Sequence, residues 1–314
     1  MKKISLIVPC YNDENSVQEM AERVRDIFAK LDGYDYELIF VDDCSPDATW
    51  EKISLACEKD KRVKGVHNIT NFGPSRNLFS AFQYGDGDAF FMLMGDLQEP
   101  PEVLPEFLRY WESGYNAVCG VHMNTDDRGI MALGRKIYYR MMGLLTGRKD
   151  NIGGDGHGLY DRKVIESIRQ VHNVHPYLPG ILSEYGGKIK TIPIEQMPSK
   201  RGRSNQNFLK KYDYAMLGLT SYTKILMRIS TFAGCLIGVA AVLFSIFTFV
   251  MKLTHWNSYP MGIPSILIGV FFLGAVQLFF MGIMGEYILS INERSMDRPL
   301  TVADKKINFE EDER

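Results

Sequence analysis

The sequence has no CxxC pair, no G-x-G-x-x-G after its first apolar run and no G-x-x-x-x-G-K-[ST] loop anywhere. Its five cysteines, Cys10, Cys44, Cys57, Cys119 and Cys235, are scattered. An odd, dispersed set argues against a disulfide framework or a zinc cluster and reads as reduced thiols in a cytosolic compartment. Basic residues are not in excess: 36 Lys and Arg against 38 Asp and Glu leave a formal net charge of −2. A general nucleic-acid binder is thereby excluded, because neutralising many phosphates needs a surplus of cations. The apolar run Ile4–Val8 behind Met1-Lys2-Lys3 is too short for a signal-peptide core and meets Asn12-Asp13-Glu14 at once, so it predicts a strand.

Charge is also missing from two long stretches, the 23 residues Ile229–Met251 and the 22 residues Pro264–Gly285. A helix needs about 20 apolar residues to cross a bilayer's hydrocarbon layer, so both can span. The alternative, a helical hairpin inside a soluble core, is disfavoured because helices this long and apolar all round are rare there. Lys210, Lys211, Lys224 and Arg228 precede the first run, Lys252 alone lies between the two, and Arg294, Arg298, Lys305 and Lys306 follow. That asymmetry predicts a multi-pass protein of the cytoplasmic (inner) membrane with both termini cytoplasmic and a short outer loop.

Residues 1 to about 120 alternate strand and helix signals, the pattern of a parallel sheet with crossover helices. Strands are predicted at Ile4–Val8, Tyr36–Val41, Val63–Val66, Ala89–Met94 and Asn116–Gly120. Ser16 with Glu19 predicts a capping box for a helix whose apolar positions are Val17, Met20, Val24, Ile27 and Leu31. Asp47 is placed to cap a second helix, Asn77–Tyr84 reads as a third, and Pro100-Pro101 opens a fourth with Leu104, Phe107 and Leu108 inward. In such sheets ligands bind beyond the carboxyl ends of the strands. Polar clusters stand there: Pro9–Glu14, Asp42–Asp47 and Asp96–Glu99. With no phosphate-cradling glycine loop, a metal held by carboxylates is the natural partner for a nucleotide's phosphates.

Four segments carry a resemblance: Val8-Pro9-Cys10-Tyr11-Asn12-Asp13-Glu14, Val41-Asp42-Asp43-Cys44-Ser45-Pro46-Asp47, Asn71-Phe72-Gly73 and Gly95-Asp96-Leu97-Gln98-Glu99-Pro100-Pro101. In this order, followed by Arg201-Gly202-Arg203-Ser204, the two apolar runs and Gly285-Glu286-Tyr287-Ile288, they resemble family 2 glycosyltransferases. The resemblance is to the branch of dolichyl-phosphate mannose synthase and bacterial polyprenyl-phosphate glycosyltransferases. It implies a GT-A-type, Rossmann-like α/β domain, an enzyme using Mg²⁺ or Mn²⁺, and a base and ribose pocket lined by Pro9, Tyr11, Glu14 and Asp42 or Asp43. Carboxylates suit that pocket by accepting from base N–H and ribose hydroxyl groups.

The family's Asp-x-Asp-Leu-Gln has Met94 at its first position here, leaving Asp96 and Gln98 as the metal-facing pair. One carboxylate suffices for Mg²⁺ when phosphate and water complete its shell. Arg201 and Arg203, just before the first apolar run, have the planar forks that suit a lipid phosphate and a leaving diphosphate. The same basic segment can equally rest on anionic headgroups. Arg128 and Arg135 belong to a second basic stretch able to approach that surface. In the glycine-rich Gly153–Gly158, Asp155 is the candidate base or acceptor-orienting group, although a phosphate acceptor is already anionic near neutral pH. His157 reads as polar loop surface and Asp161 as the cap of a helix 162–168.

Together these readings divide the chain into a cytoplasmic catalytic domain (1–208), an interfacial helix (209–228), a membrane hairpin (229–287) and a cytoplasmic tail (288–314). They predict inverting transfer from a nucleotide-sugar to polyprenyl (undecaprenyl) phosphate, supplying lipid-linked sugar for cell-envelope glycans. Family habit favours a UDP-sugar such as glucose or N-acetylglucosamine. Membrane lipids and a homo-oligomer are expected partners. Two rivals stand beside this reading, a transferase acting on a glycan or glycolipid and a non-catalytic nucleotide-sugar-binding membrane protein. The absence of QxxRW argues against a glycan polymerase.

Overall fold

The computed structural model describes residues 1–122, 156–171, 176–195, 197, 225–254, 263–296 and 298–309. It falls into two compact units, Met1–Lys211 with Glu293–Arg314, and Tyr212–Asn292. The first unit contains β1 (Lys2–Cys10), β2 (Tyr34–Asp42), β3 (Val63–Asn68), β4 (Ala89–Met92), β5 (Ala117–His122), β6 (Gly158–Asp161), β7 (Ile189–Ile194) and β8 (Ala303–Ile307). They form one sheet in the order β7-β5-β6-β4-β1-β2-β3-β8. Its helices are α1 (Val17–Phe28), α2 (Thr49–Lys59), α3 (Pro74–Ala81), α4 (Leu104–Glu112), α5 (Arg162–Arg169) and α6 (Leu178–Tyr185).

The central strands are parallel: β1 pairs with β2 and with β4, and β2 pairs with β3. Ile4, Leu6, Ile7 and Val8 of β1 and Leu38–Val41 of β2 are all fully buried. Near-continuous apolar runs of this kind belong to strands covered on both faces. Helix α1 buries Val17, Met20, Val24 and Ile27 at helical spacing. Leu104, Phe107 and Leu108 of α4 are buried as expected, although Pro101–Val103 first forms a 3-10 turn.

The five strands β1–β5, expected from residues 1 to about 120, all run parallel, and the sheet adds two antiparallel members from outside that stretch. β6 lies antiparallel between β4 and β5, and β8 is antiparallel to β3. β6 is four residues long, too short to show a period. Its Gly158 admits no side chain, because a Cβ would fall 2.5 Å from the carbonyl oxygen of Val118. The capping box is not formed. Ser16 sits in a helical conformation at the α1 N-cap with no capping bond, and its hydroxyl donates to the carbonyls of Asp13 and Gly95. Helix α3 begins at Pro74, earlier than expected, where Gly73 at φ 90° turns the chain and proline takes the first helical position.

Away from the carboxyl ends of the strands, Glu37 of β2 is buried beside Ser5, its register partner on β1. It accepts from the Ser5 hydroxyl, the Asp86 backbone N–H and Lys64 Nζ, the last two at 2.8 Å, with Lys3 Nζ at 3.1 Å. Burial pushes its carboxyl up, but these donors and cations outweigh burial and hold it at about 2.

In the second unit, α7 (Ile225–Thr254) and α8 (Ile263–Ser295) are 30 and 33 residues long. Each carries a stretch apolar and long enough to cross a membrane, Ser230–Met251 and Phe272–Asn292, in which Ser290 is the one buried residue among those described. Phe232, Leu243 and Leu278 are among their exposed side chains. The expected interfacial helix falls on residues outside those described, apart from Ile225–Arg228, which belong to α7.

Candidate nucleotide site at the strand ends

Because β1 pairs with both β2 and β4, the loops leaving those three strands converge. Hydrogen bonds stitch the first two together. Asp43 N donates to Cys10 O at 3.0 Å, Asn12 N to Ser45 Oγ at 3.0 Å and Asp13 N to Thr49 Oγ1 at 2.8 Å. Glu14 Oε2 accepts from Ala48 N at 3.0 Å, while Glu14 N donates to Asp47 Oδ2 at 3.3 Å. The third loop is joined by the bond from Ser16 Oγ to Gly95 O. A Cβ on Gly95 would stand 2.5 Å from Asp13 Oδ2 and 3.1 Å from Cys10 Sγ, so only glycine permits this approach.

Each loop contains one non-glycine residue in the left-handed region: Asn12 at φ 58°, Cys44 at 56° and Leu97 at 58°. Such residues cost about 1–2 kcal/mol each and gather where surrounding structure holds a site in a required shape. Asparagine tolerates that region, whereas cysteine and leucine do not favour it.

The structure brings together Pro9, Tyr11, Glu14, Asp42, Asp43, Asp96 and Gln98. Pro9 is half-buried near the end of β1, and Tyr11 stands at the lip, 37% exposed. Asp42, the last residue of β2, is fully buried. It takes the Ser45 hydroxyl and lies 2.7 Å from His67 Nδ1. Burial raises its carboxyl above the ordinary value, and the bonds from Ser45 and His67 pull the other way. Asp43 accepts from Asn68 Nδ2 and Phe72 N, both at 3.0 Å, and from Gly73 N at 2.7 Å. It therefore shapes the Asn71–Gly73 loop. Asp47 bonds Thr49 N at 3.1 Å, serving the start of α2 from one residue outside its cap position.

Asp96 is 6% exposed, and its Oδ1 accepts from Gln98 N at 3.2 Å. Gln98 O in turn accepts from Met197 N at 2.9 Å. Among the described residues no group of three or more His, Cys, Asp or Glu is placed to share a metal. The donor set fits a hard cation that takes one carboxylate and one amide oxygen and fills its shell with phosphate and water, not a cage built by protein alone. Asp155, Arg201, Arg203, Arg128 and Arg135 lie outside the described residues.

His157 is corrected from loop surface to core. It is 2% exposed, its Nδ1 bonds Met92 O at 2.9 Å, and its ring packs edge-on to Phe91 and Phe107. Asp161 caps α5 as expected, accepting from Lys163 N, and also takes Trp111 Nε1 at 2.8 Å. Sequence reading did not single out Asp13, a buried residue between two polar ones that holds Tyr11 N at 2.9 Å. Its neighbourhood with Gly95 is long-range, and the glycine before Asp96 was its one sequence signal.

Residues 5–169 match the family described as Glycosyl transferase family 2. The bactoprenol glucosyl transferase of Shigella phage SfV is 31% identical over 302 residues, covering 95% of this chain and 96% of its own. The prophage bactoprenol glucosyl transferase homolog of Escherichia coli (strain K12) is 30% identical over 291 residues, covering 91% and 93%. In fold the chain is similar to glucosyl-3-phosphoglycerate synthase from Mycobacterium tuberculosis, solved with Mn²⁺, uridine-diphosphate-glucose and phosphoglyceric acid. The TM-score is 0.52 at 14% identity, over 70% of this chain and 78% of that one.

Proposed function

This chain belongs to glycosyl transferase family 2, and on that premise we propose that it transfers a sugar from a UDP-sugar to a polyprenyl phosphate such as undecaprenyl phosphate. The observation that carries the site is the joining of three strand-end loops around Asp13, which sets Tyr11, Asp43 and Asp96 along one edge of the sheet. The acceptor follows from the relatives named as bactoprenol glucosyl transferases, aligned over nearly the whole chain, and from two helices able to span a bilayer.

The reaction is a single displacement with inversion. An acceptor phosphate oxygen forms the bond to the anomeric carbon as the bond to the nucleoside diphosphate breaks and its electron pair leaves with the diphosphate. The acceptor oxygen is already anionic near neutral pH, so Asp155 serves to orient it more than to deprotonate it. Pro9, Tyr11, Glu14 and Asp42 or Asp43 form the base and ribose side. Asp96 and Gln98 would hold Mg²⁺ or Mn²⁺, which when bound neutralises charge on the leaving diphosphate. Arg201 and Arg203 take the phosphate side, with Arg128 and Arg135 near the acceptor. Arg201 follows Met197 by four residues, a length that spans at most about 14 Å, and Met197 is bonded to the Asp96–Gln98 turn through Gln98 O. The cation pattern puts this chemistry on the cytoplasmic face.

Two experiments decide the matter. A donor screen with undecaprenyl phosphate and, in parallel, sugar acceptors, read by mass spectrometry of the lipid product, should give a lipid-phosphate-linked sugar. Product only on the sugar acceptors overturns the acceptor assignment. Asp96→Ala should abolish turnover while the protein stays folded in the membrane; full activity there, or indifference to chelator, overturns the metal assignment.

A further inference from the structure

The same strand ends are reached from the far end of the chain. After α8 the chain returns to the sheet as β8, pairing His67 with Lys305 and Asn68 with Ala303, with a register shift between His67 and Asn68. That irregularity falls where β3 gives way to the loop bonded to Asp43. Just beyond it Ile69 N donates to Val302 O at 3.0 Å. Arg76 Nε donates to Leu300 O at 2.7 Å, one terminal guanidinium N–H to Pro299 O at 2.9 Å, and the guanidinium lies 4.8 Å from the centre of the Phe72 ring. The other end of the strap is fixed as well: Asn308 Nδ2 donates to Cys57 O and Val63 O, both at 2.8 Å.

We propose that Arg76 is a positioning residue for the nucleotide donor, clamping the loop that orients Asp43 onto the C-terminal strap Arg298–Asn308. The inference rests on the reading of the strand ends as the donor site. One planar fork meets two successive carbonyls and a ring face at once, which an ammonium on a flexible stem cannot do. Phe72 and Gly73 are the residues whose N–H groups fill Asp43 Oδ1 and Oδ2. Moving Phe72 therefore moves the donors that set the carboxylate. Burial and nearby Arg298 both disfavour the Arg76 charge, while Asp43 favours it, so the cation is held between the strap and the site.

The test uses the full chain in nanodiscs, with Arg76→Lys and Arg76→Ala. Hydrogen exchange is followed in the peptide covering residues 69–77, and kinetics are measured with UDP-glucose and undecaprenyl phosphate varied in turn. Loss of charge-assisted bonds at the clamp should speed exchange of that peptide about tenfold and raise the donor KM about tenfold. The lipid KM should not move, and kcat should stay within about twofold, because the reacting groups are untouched. The two variants should behave alike, and the lysine variant carries the test if the alanine variant does not fold. Wild-type exchange in Arg76→Lys, or a fall in kcat with the donor KM unchanged, overturns the proposal. Should the wild-type enzyme turn over no nucleotide-sugar, the donor reading fails, and unchanged exchange at 69–77 would still refute the clamp separately.

Discussion

Gly95→Ala is the sharpest perturbation the site offers, because it adds one methyl group at a place where the structure leaves none. The new Cβ would sit 2.5 Å from Asp13 Oδ2 and 3.1 Å from Cys10 Sγ. The first contact must open by at least about half an ångström to reach the shortest separations real Cβ atoms show. Asp13 cannot yield freely, since Oδ2 holds Tyr11 N at 2.9 Å and its own N–H is bonded to Thr49 Oγ1 at 2.8 Å. Overpacking of this kind costs about 1–3 kcal/mol, and each kcal/mol lowers the melting temperature of a domain this size by about 2–4 °C. The larger effect is on turnover. Shifting Tyr11 against Asp96 by a fraction of an ångström should reduce kcat/KM by roughly 10- to 100-fold, given that a 1 Å misplacement can cost about 100-fold. The assay is sugar transfer to lipid phosphate in reconstituted membranes, alongside a melting curve. Gly274→Ala on α8, where an added Cβ meets nothing within 4 Å, is the control and should keep activity without lowering the melting temperature. Wild-type activity and stability in Gly95→Ala would refute the claim that Asp13 and Gly95 set the distance between the nucleotide loops.

Glu37 has a carboxyl held at about 2, below its ordinary 4.5. A depressed folded-state value stabilises the fold above the unfolded value, so this contribution is complete above about pH 4.5 and fades as pH falls toward 2. Glu37→Gln should flatten that part of a stability-versus-pH curve, measured by denaturant melts. At neutral pH it should cost about 1–3 kcal/mol by leaving buried donors around Glu37 poorly matched. An unaltered acid profile in the variant would remove Glu37 from the account. Cys44 at φ 56° predicts the opposite sign. Cys44→Gly should keep activity and raise stability by up to about 1 kcal/mol, since relief of left-handed strain outweighs glycine's added chain entropy. A destabilised Cys44→Gly would mean that the thiol makes contacts worth more than the strain.

How much of this was legible depends on sequence distance. β1 and β2 announce themselves as apolar runs ending in polar residues, and α1 and α4 by their spacing, because those signals are local. The loops 9–14, 42–47 and 95–99 could be placed together from topology alone, since parallel strands put their carboxyl ends on one edge. What escaped was long-range. The sequence Ala-Asp-Lys-Lys-Ile of β8 has no apolar alternation, and its lysines suit an edge strand as well as a solvated tail. Only its pairing with β3, 238 positions earlier at His67 and Lys305, makes it a strand. His157 could not be told from loop surface because its partners, Met92 O and the rings of Phe91 and Phe107, come from β4 and α4.

The choice between Asp42 and Asp43 as the nucleotide's ligand, open in the sequence, can be argued from lone pairs. A carboxylate oxygen accepts about two hydrogen bonds. Asp43 Oδ1 already has Asn68 Nδ2 and Phe72 N, while Oδ2 has Gly73 N, which leaves one acceptor position on Oδ2. Asp42 is ringed by the Ser45 hydroxyl and N–H and by His67 and is fully buried. The two asparagine substitutions should therefore part company. In Asp42→Asn, a ring nitrogen of His67, unlike a backbone N–H, can accept from the new amide as well as donate to it, so the network closes again and UDP affinity changes by less than about threefold. In Asp43→Asn no such exchange exists: Phe72 and Gly73 offer only backbone N–H groups, so an amide NH₂ on either side faces another donor. That mismatch costs about 1–3 kcal/mol, and it falls on the loop as well as on the base, so UDP binding should weaken roughly 10- to 100-fold. Calorimetric titration of both variants with UDP and Mg²⁺ measures the split. Equal losses in the two, or a larger loss in Asp42→Asn, would mean that the nucleotide is read from the other carboxylate and that the bonds to Phe72 and Gly73 do not govern the pocket.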